Sequence, residues 1–258
     1  MSAIEVAGLV KRYRGADRNA VDGISFQVAT GEFCCLLGPN GAGKTTTIAI
    51  LTTTLEKTSG VVRISGRDIA ADQAGVRRQI GVVFQQPALD QNLTAEENLR
   101  LHAVLYGLYP WRPLYRMMPA GYRTQVTEVA GLLGMSDLLG RPVRSLSGGQ
   151  RRRLEIVRAL MHRPAVLFLD EPTAGLDPQS RRRLWAYLRA ARSQSGTTVL
   201  LTTHYLEEAE SADAACVIVA GQIVDRGTPA ELKQRHGTRT LEDAYLTLLG
   251  DAQEGEPE

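Results

Sequence analysis

The sequence predicts an α/β fold: a mixed sheet, an antiparallel β portion attached to it, and an inserted α-helical subdomain. Three observations carry that prediction. FCCLL (33–37), AVLFL (165–169) and TVLLTT (198–203) are continuous apolar runs followed by loops and helical patterns, as strands buried on both faces of a parallel sheet are. The early and late strand candidates alternate apolar and polar residues instead, as antiparallel strands do. Between about 90 and 149 strand signals vanish, and apolar residues recur at helical spacing.

Taken in order, ISFQV (24–28) and FCCLL are strands, and TTTIAILTTTL (45–55) is a helix. VVRI (61–64) and GVVF (81–84) follow as strands. TAEENLRLHAVLYGL (94–108) carries Leu99, His102, Ala103 and Tyr106 on one helical face. Thr94 and Glu97 have the spacing of a capping box. TQVTEVAGLLGM (124–135) reads as a second helix. After SLSGGQ (145–150), Leu154, Val157, Leu160 and Met161 give a helix its apolar stripe. AVLFL, TVLLTT and CVIVA (216–220) complete the strands, the last pairing with QIVDRG (222–227) across Gly221. One domain is expected, with an α/β core over about 1–89 and 150–225 and a helical subdomain over about 90–149. A C-terminal extension of short helices runs from about 226 to 258, and its acidic end, AQEGEPE (252–258), is expected to be disordered. No internal repeat is present.

A 43% hydrophobic content supports a substantial core, and 30 basic against 28 acidic residues leave a net charge of +2. That balance argues against nucleic acid as the primary partner. The RRR runs at 151–153 and 181–183 sit on predicted helices with apolar stripes, so solvated or ligand-facing helix surfaces are expected there. Cys34, Cys35 and Cys216 lie inside apolar strands, which suits small core residues in a reducing cytosol. The N-terminus, MSAIEVAGLVKRY, lacks a signal-peptide apolar region, and no apolar run approaches the ~18 residues that span a bilayer. A soluble chain is expected, meeting membranes only through a partner.

GPNGAGKT (38–45) fits G-x-x-x-x-G-K-[ST] in full, between a strand and a helix. That is a P-loop in its required context, so the core is expected to be that of a P-loop NTPase. Gly38, Gly41 and Gly43 let backbone approach phosphates, Lys44 reaches the β/γ-phosphates, and the Thr45 hydroxyl suits Mg²⁺. AVLFLDE places Asp170 to hold Mg²⁺ and Glu171 to polarise an attacking water, although the pair could simply cap a turn. His204, after TTVLLTT, could meet a γ-phosphate or be a solvated cap. Gln85, with Gln86 as its rival, could ligate metal or be surface polarity. Tyr13 could stack on a base or be an exposed loop aromatic. Ser147, Gly148 and Gly149 open a helix whose N-terminus offers a second anion site.

The ordered set YRG (13–15), GPNGAGKTT, VVFQQP, LSGGQ, LFLDEP, AGLDP and TTH covers almost the whole chain. It resembles the nucleotide-binding subunit of an ABC transporter, whose signature LSGGQ is matched without substitution. The resemblance implies ATP and Mg²⁺ as ligands. It gives Tyr13 to the base, and the loop Gly38, Pro39, Asn40, Gly41, Ala42, Gly43, Lys44, Thr45 and Thr46 to the phosphates. Thr45, Gln85 and Asp170 fall to Mg²⁺, with Gln85 also a transporter-facing sensor. Glu171 becomes the catalytic base and His204 the γ-phosphate switch. Ser147, Gly148, Gly149 and Gln150 act in trans on ATP held by a second subunit, and Asp177 contacts that subunit. Two subunits pack head to tail in this family, which accounts for two phosphate loops in a chain with one P-loop.

Chromosome and repair ATPases with this head carry long coiled coils between the two halves, and translation-associated relatives resemble two such domains in tandem; neither pattern is present. VVFQQPALDQNLTAEENLRLHAVLYGL, RPVRSLSGGQRRRLEIVRALMHRPAVLFLDEPTAGLDP and TLEDAYLTLLG resemble the drug- and lipid-exporting branch, which includes daunorubicin-resistance and nodulation-factor export ATPases. An importer subunit is the alternative. The resemblance implies a separate membrane permease, a second ATPase subunit that is a copy of the first, and a peripheral place on the cytoplasmic side of the membrane. YPWRPLYRMMP (109–119) departs from the family pattern. Pro110, Pro113 and Pro119 forbid a continuous helix. Trp111, Leu114, Tyr115, Met117 and Met118, with Arg112 and Arg116 between them, are expected to face the permease. The competing expectation is that they fold back into the subdomain.

Overall fold

The computed structural model describes residues 1–85 and 88–254, without the side chains of Gln194, Ser195 and residues 251–254. Gln86 and the last four residues of the acidic end lie outside the described residues. In chain order the first elements are β1 (Ser2–Lys11), β2 (Val21–Ala29), β3 (Phe33–Leu37), α1 (Lys44–Leu51), β4 (Ser59–Ile64), β5 (Arg67–Asp68), α2 (Gln73–Gln79) and β6 (Ile80–Val83). The helices α3 (Ala95–Leu105), α4 (Ala120–Leu132) and α5 (Gly148–Leu160) come next. The chain continues through β7 (Val166–Asp170), α6 (Pro178–Ser195), β8 (Thr198–Thr203), α7 (Leu206–Ala209) and β9 (Ala214–Val219). It closes with β10 (Gln222–Gly227), α8 (Pro229–Arg235) and α9 (Leu241–Glu254).

A six-stranded sheet has the order β10-β9-β3-β8-β7-β6. Its members from β9 to β6 are parallel, and β10 is antiparallel to β9. Every residue of β3, β7 and β8 is buried, as their unbroken apolar sequences require. The pleat of β3 divides two cores: Cys35 and Leu37 join the helices α3 to α6 on one face, while Cys34 and Leu36 join α1 and a second sheet on the other. All three cysteines are free and buried. The second sheet is antiparallel, with order β2-β1-β4-β5. Its central strand β1 was missed in the sequence because Gly8, at φ 57, interrupts the alternation and shifts the register between Val6 and Leu9.

The expected capping box is present: the Thr94 side chain accepts from Glu97 N–H, and Glu97 accepts from Thr94 N–H at the start of α3. The structure corrects three expectations. In 151–153, Arg152 is buried rather than solvated, because α5 turns it toward β7 and away from water. In 109–119, Tyr115 and Tyr109 pack edge-on against the buried Tyr122, and Met118 is fully enclosed. Of Trp111, Leu114, Tyr115, Met117 and Met118, only Trp111, Leu114 and Met117 remain exposed. The acidic end also differs, since Ala252, Gln253 and Glu254 continue α9. Among the described residues no helix is long and apolar enough to cross a membrane.

Candidate active site

Neighbouring strands β3, β8, β7 and β6 are parallel, so their carboxyl ends share one edge of the sheet. GPNGAGKT follows β3, Asp170 ends β7 with Glu171 next, His204 follows β8, and Gln85 lies two residues beyond β6. Ligands of open α/β sheets bind at this edge.

The P-loop is shaped by what crowds it. A Cβ on Gly38 would lie 2.3 Å from the Ile218 carbonyl oxygen of β9, and one on Gly43 would lie 2.4 Å from the Ala20 carbonyl oxygen. Gly43 also caps α1 at φ 102, a left-handed conformation that glycine adopts freely. The loop thus delivers Lys44, Thr45 and Thr46 into the first turn of α1, where backbone N–H groups lack intrahelical acceptors. Lys44 Nζ donates to the carbonyl oxygens of Gly38 at 2.6 Å and Pro39 at 2.9 Å. Burial lowers the pKa of this ammonium, against the opposing pull of Glu171 and Asp170. Tyr13 sits beside the same turn, its hydroxyl 3.3 Å from Thr46 Oγ1 and its half-open ring 5.3 Å from Lys11 Nζ.

Asp170 is 1% exposed, and its Oδ1 accepts from the Thr202 hydroxyl and, at 3.5 Å, from Thr45 Oγ1. Its Oδ2 is buried with no hydrogen-bond partner among the described residues. A buried carboxylate oxygen without a donor calls for a cation or an ordered water. Oxygen donors from Asp170, Thr45 and the Gln85 amide suit a hard cation, so these residues fit Mg²⁺. Gln85 itself is exposed on the same edge.

Glu171 adopts φ 48, outside the usual range for a side-chain-bearing residue. The turn is held by its N–H, which donates to Thr202 O at 3.2 Å and Thr202 Oγ1 at 3.1 Å. Its carboxylate Oε1 then meets His204 Nδ1 at 3.1 Å. With Glu171 ionised, Nδ1 carries the shared proton, and the imidazole orients the carboxylate.

The signature segment has a different setting. Ser147 Oγ accepts from Gln150 N–H at 3.2 Å, while Gln150 Oε1 accepts from Ser147 N–H at 2.9 Å. This capping box leaves the N–H groups of Gly148 and Gly149 at the first positions of α5, where no preceding carbonyl is in register. A Cβ on Gly148 would meet nothing within 4 Å. Asp177 caps α6, accepting from Ser180 N–H at 2.9 Å and Ser180 Oγ at 2.5 Å, contacts that lower its pKa. Among the described residues no hydrogen bond joins Ser147, Gly148, Gly149, Gln150 or Asp177 to the P-loop, Asp170, Glu171 or His204. The fold therefore gathers one group of residues at the sheet edge and presents the other separately.

Sequence reasoning missed Thr202 as the bridge between Asp170 and Glu171, although it stands in TTH. It also missed Arg152 and Glu155, whose i, i+3 spacing was the available signal.

An ABC transporter family model matches residues 21–174. Daunorubicin/doxorubicin resistance ATP-binding protein DrrA of Streptomyces peucetius is 43% identical over 240 residues, covering 93% of this chain and 69% of that protein. Nod factor export ATP-binding protein I of Ralstonia nicotianae is 43% identical over 230 residues, covering 89% and 68%. Among solved structures, an ATP-binding subunit of an ABC transporter matches with a TM-score of 0.86 at 29% identity, over 96% of this chain and 99% of that one. A dimeric, post-hydrolysis ATP-binding cassette bound to ADP and Pi matches at 0.79 and 25% identity, over 87% and 98%. A P-loop after β3, an acidic pair at the end of β7 on the same edge of the parallel sheet, and these relatives agree: the chain belongs to the ABC transporter family, as an ATP-binding subunit that hydrolyses ATP.

Proposed function

We propose that this chain pairs head to tail with a second copy of itself and powers a separate permease that exports an amphipathic compound, such as a drug or lipid. The observation that carries the pairing is the exposed N-terminus of α5, with the Gly148 and Gly149 N–H groups making no hydrogen bond to their own P-loop. A related cassette solved as a dimer with ADP and Pi supports it. The printed names of the relatives, drug-resistance and Nod factor export proteins, support export.

In this reading Lys44 exchanges the Gly38 and Pro39 carbonyls for the β/γ-phosphates of ATP, and Tyr13 stacks on the base. Glu171 accepts the proton of the attacking water while His204 holds its carboxylate in place. The signature glycines of one subunit donate to the γ-phosphate bound by the other, where negative charge accumulates during transfer. Mg²⁺, held by Thr45, Gln85 and Asp170, would neutralise phosphate charge. The subunit sits peripherally on the cytoplasmic side of the membrane, and the exposed Trp111, Leu114 and Met117, with Arg112 and Arg116, face the permease.

Glu171→Gln tests the central assignment. Size and hydrogen bonding are kept but the proton acceptor is lost, so turnover is expected to fall by ~10²-fold or more with ATP binding intact. Near-normal turnover in the purified variant would remove Glu171 from the mechanism.

A further inference from the structure

Arg152 is 6% exposed and carries a charge into the space between α5 and the carboxyl ends of β6 and β7. Its guanidinium is spent almost wholly on backbone carbonyls. Nη1 donates to Phe84 O, immediately before Gln85. Nη2 donates to Asp170 O and, at 2.9 Å, to Glu171 O. Nε reaches Pro172 O at 3.3 Å. One planar group therefore grips the segment bearing Gln85 and the segment bearing Glu171.

A second side chain completes the grip. Glu155, 2% exposed, lies one turn along α5 with Oε2 3.4 Å from Arg152 Nη1. Its other oxygen accepts from Ala88 N–H at 2.7 Å. Arg158, a further turn along, donates to Ala88 O. The stretch containing Gln85 is thus tied to α5 on both sides, at Phe84 and at Ala88.

Burying a guanidinium is unfavourable unless its donors are satisfied, and an apolar residue would fill the same volume more simply. What the arginine adds is geometry: its fork fixes several acceptors at once, which the single ammonium of lysine cannot do. The helix gripping these segments is the one whose first turn presents Gly148 and Gly149.

We propose that Arg152, supported by Glu155, is a positioning residue that links the placement of α5 to the placement of Gln85 and Glu171, an inference that rests on the roles given above to those two residues. When the first turn of α5 engages nucleotide on the second subunit, the same guanidinium sets the backbone that carries the catalytic carboxylate. Movement of the Gln85 segment reaches that carboxylate by the same route. Arg152 touches no substrate atom; it acts through the carbonyls it holds.

The test uses the purified full chain and a double-mutant cycle. Arg152→Lys keeps the charge and loses the fork, so kcat for ATP is expected to fall about tenfold, with KM and nucleotide affinity within about twofold of the parent. Combined with Gln85→Ala, it is expected to lower kcat little beyond the more severe single variant, because both act through one segment. If Arg152→Lys proves too unstable to assay, Glu155→Gln serves in the same cycle: it retains an acceptor for Ala88 N–H and loses the charge facing Arg152. A multiplicative cycle, an unchanged kcat, or a loss confined to KM overturns the positioning role. Glu171→Gln run in parallel separates the two levels: active Glu171→Gln overturns the site reading and the positioning role together. With Glu171→Gln inactive, a multiplicative cycle overturns the positioning role alone.

Discussion

The Glu171 carboxylate and the His204 imidazole meet at 3.1 Å, Oε1 to Nδ1, from the ends of the adjacent parallel strands β7 and β8. Glu171 reaches that position because its backbone turns into the left-handed region and is held there by Thr202. The backbone turn aims the side chain toward the end of β8, where the contact with His204 restricts the carboxylate further.

His204→Ala is therefore expected to lower kcat by ~10²-fold while leaving nucleotide affinity nearly unchanged. Glu171→Gln combined with His204→Ala is expected to be no worse than Glu171→Gln alone, since the histidine acts through the carboxylate. Steady-state ATPase and equilibrium nucleotide binding on the three variants check this. A retained kcat in His204→Ala would separate the imidazole from the chemistry.

Much of this site was legible because it is carried by short contiguous motifs. The P-loop, Asp170 and Glu171 each follow an unbroken apolar strand, and a fully buried parallel strand has the same reading whichever partners flank it. The side-chain roles that were misread depend on packing between distant segments. Arg152 has the composition of a solvated face, and only the approach of Phe84 and Asp170 to α5 shows that it is enclosed. Tyr115 and Met118 belong to a proline-rich loop with no periodicity, so nothing local separates them from the exposed Trp111 and Met117. Strand β1 was hidden by Gly8, and the pairing of His102 with His162 joins helix α3 to the turn after α5, residues far apart in the chain.

That histidine pair gives the fold a pH dependence of its own. His162 Nε2 faces the Ile80 carbonyl at 2.8 Å, so it must donate, leaving Nδ1 to accept from His102 Nε2–H at 3.3 Å. This arrangement requires neutral rings, and burial disfavours the charged form of each. Burial, with His162 and Arg158 adding to it, holds the His102 pKa down to about 3, and burial also lowers that of His162 against the pull of the Ile80 carbonyl. The unfolded chain binds these protons near pH 6.5 and the folded chain does not, so this stability is full above pH 6.5 and is lost as pH falls toward 3. The melting temperature should drop between about pH 7 and pH 5, and His102→Gln, which keeps a donor to His162, should flatten that drop. An identical slope in the variant would assign the acid sensitivity elsewhere.

The surface part of 109–119 makes a separate prediction. Trp111 is 55% exposed and its ring lies 5.5 Å from the Arg100 guanidinium, while Leu114 and Met117 stand open beside Arg112 and Arg116. Trp111→Ser with Leu114→Ser removes apolar surface without opening the core, so thermal stability should stay within about 2 °C of the parent. Recovery of the membrane complex should fall sharply if this face meets the permease. Full recovery of the complex would take the loop out of the docking surface.

Complementation between two inactive variants tests the head-to-tail site most directly. Lys44→Ala removes the P-loop amine but keeps an intact signature, and Gly148→Asp blocks the signature but keeps an intact P-loop. The aspartate side chain at 148 points into open space, so Gly148→Asp should fold and bind nucleotide normally. In a head-to-tail pair, one subunit of each kind forms one site from the intact P-loop and the intact signature. An equimolar mixture should then recover up to about a quarter of wild-type ATPase activity, since random pairing makes half of the dimers mixed and each holds one of two sites. Activity no greater than the sum of the separate variants would contradict the account, placing the signature with its own P-loop or outside hydrolysis altogether.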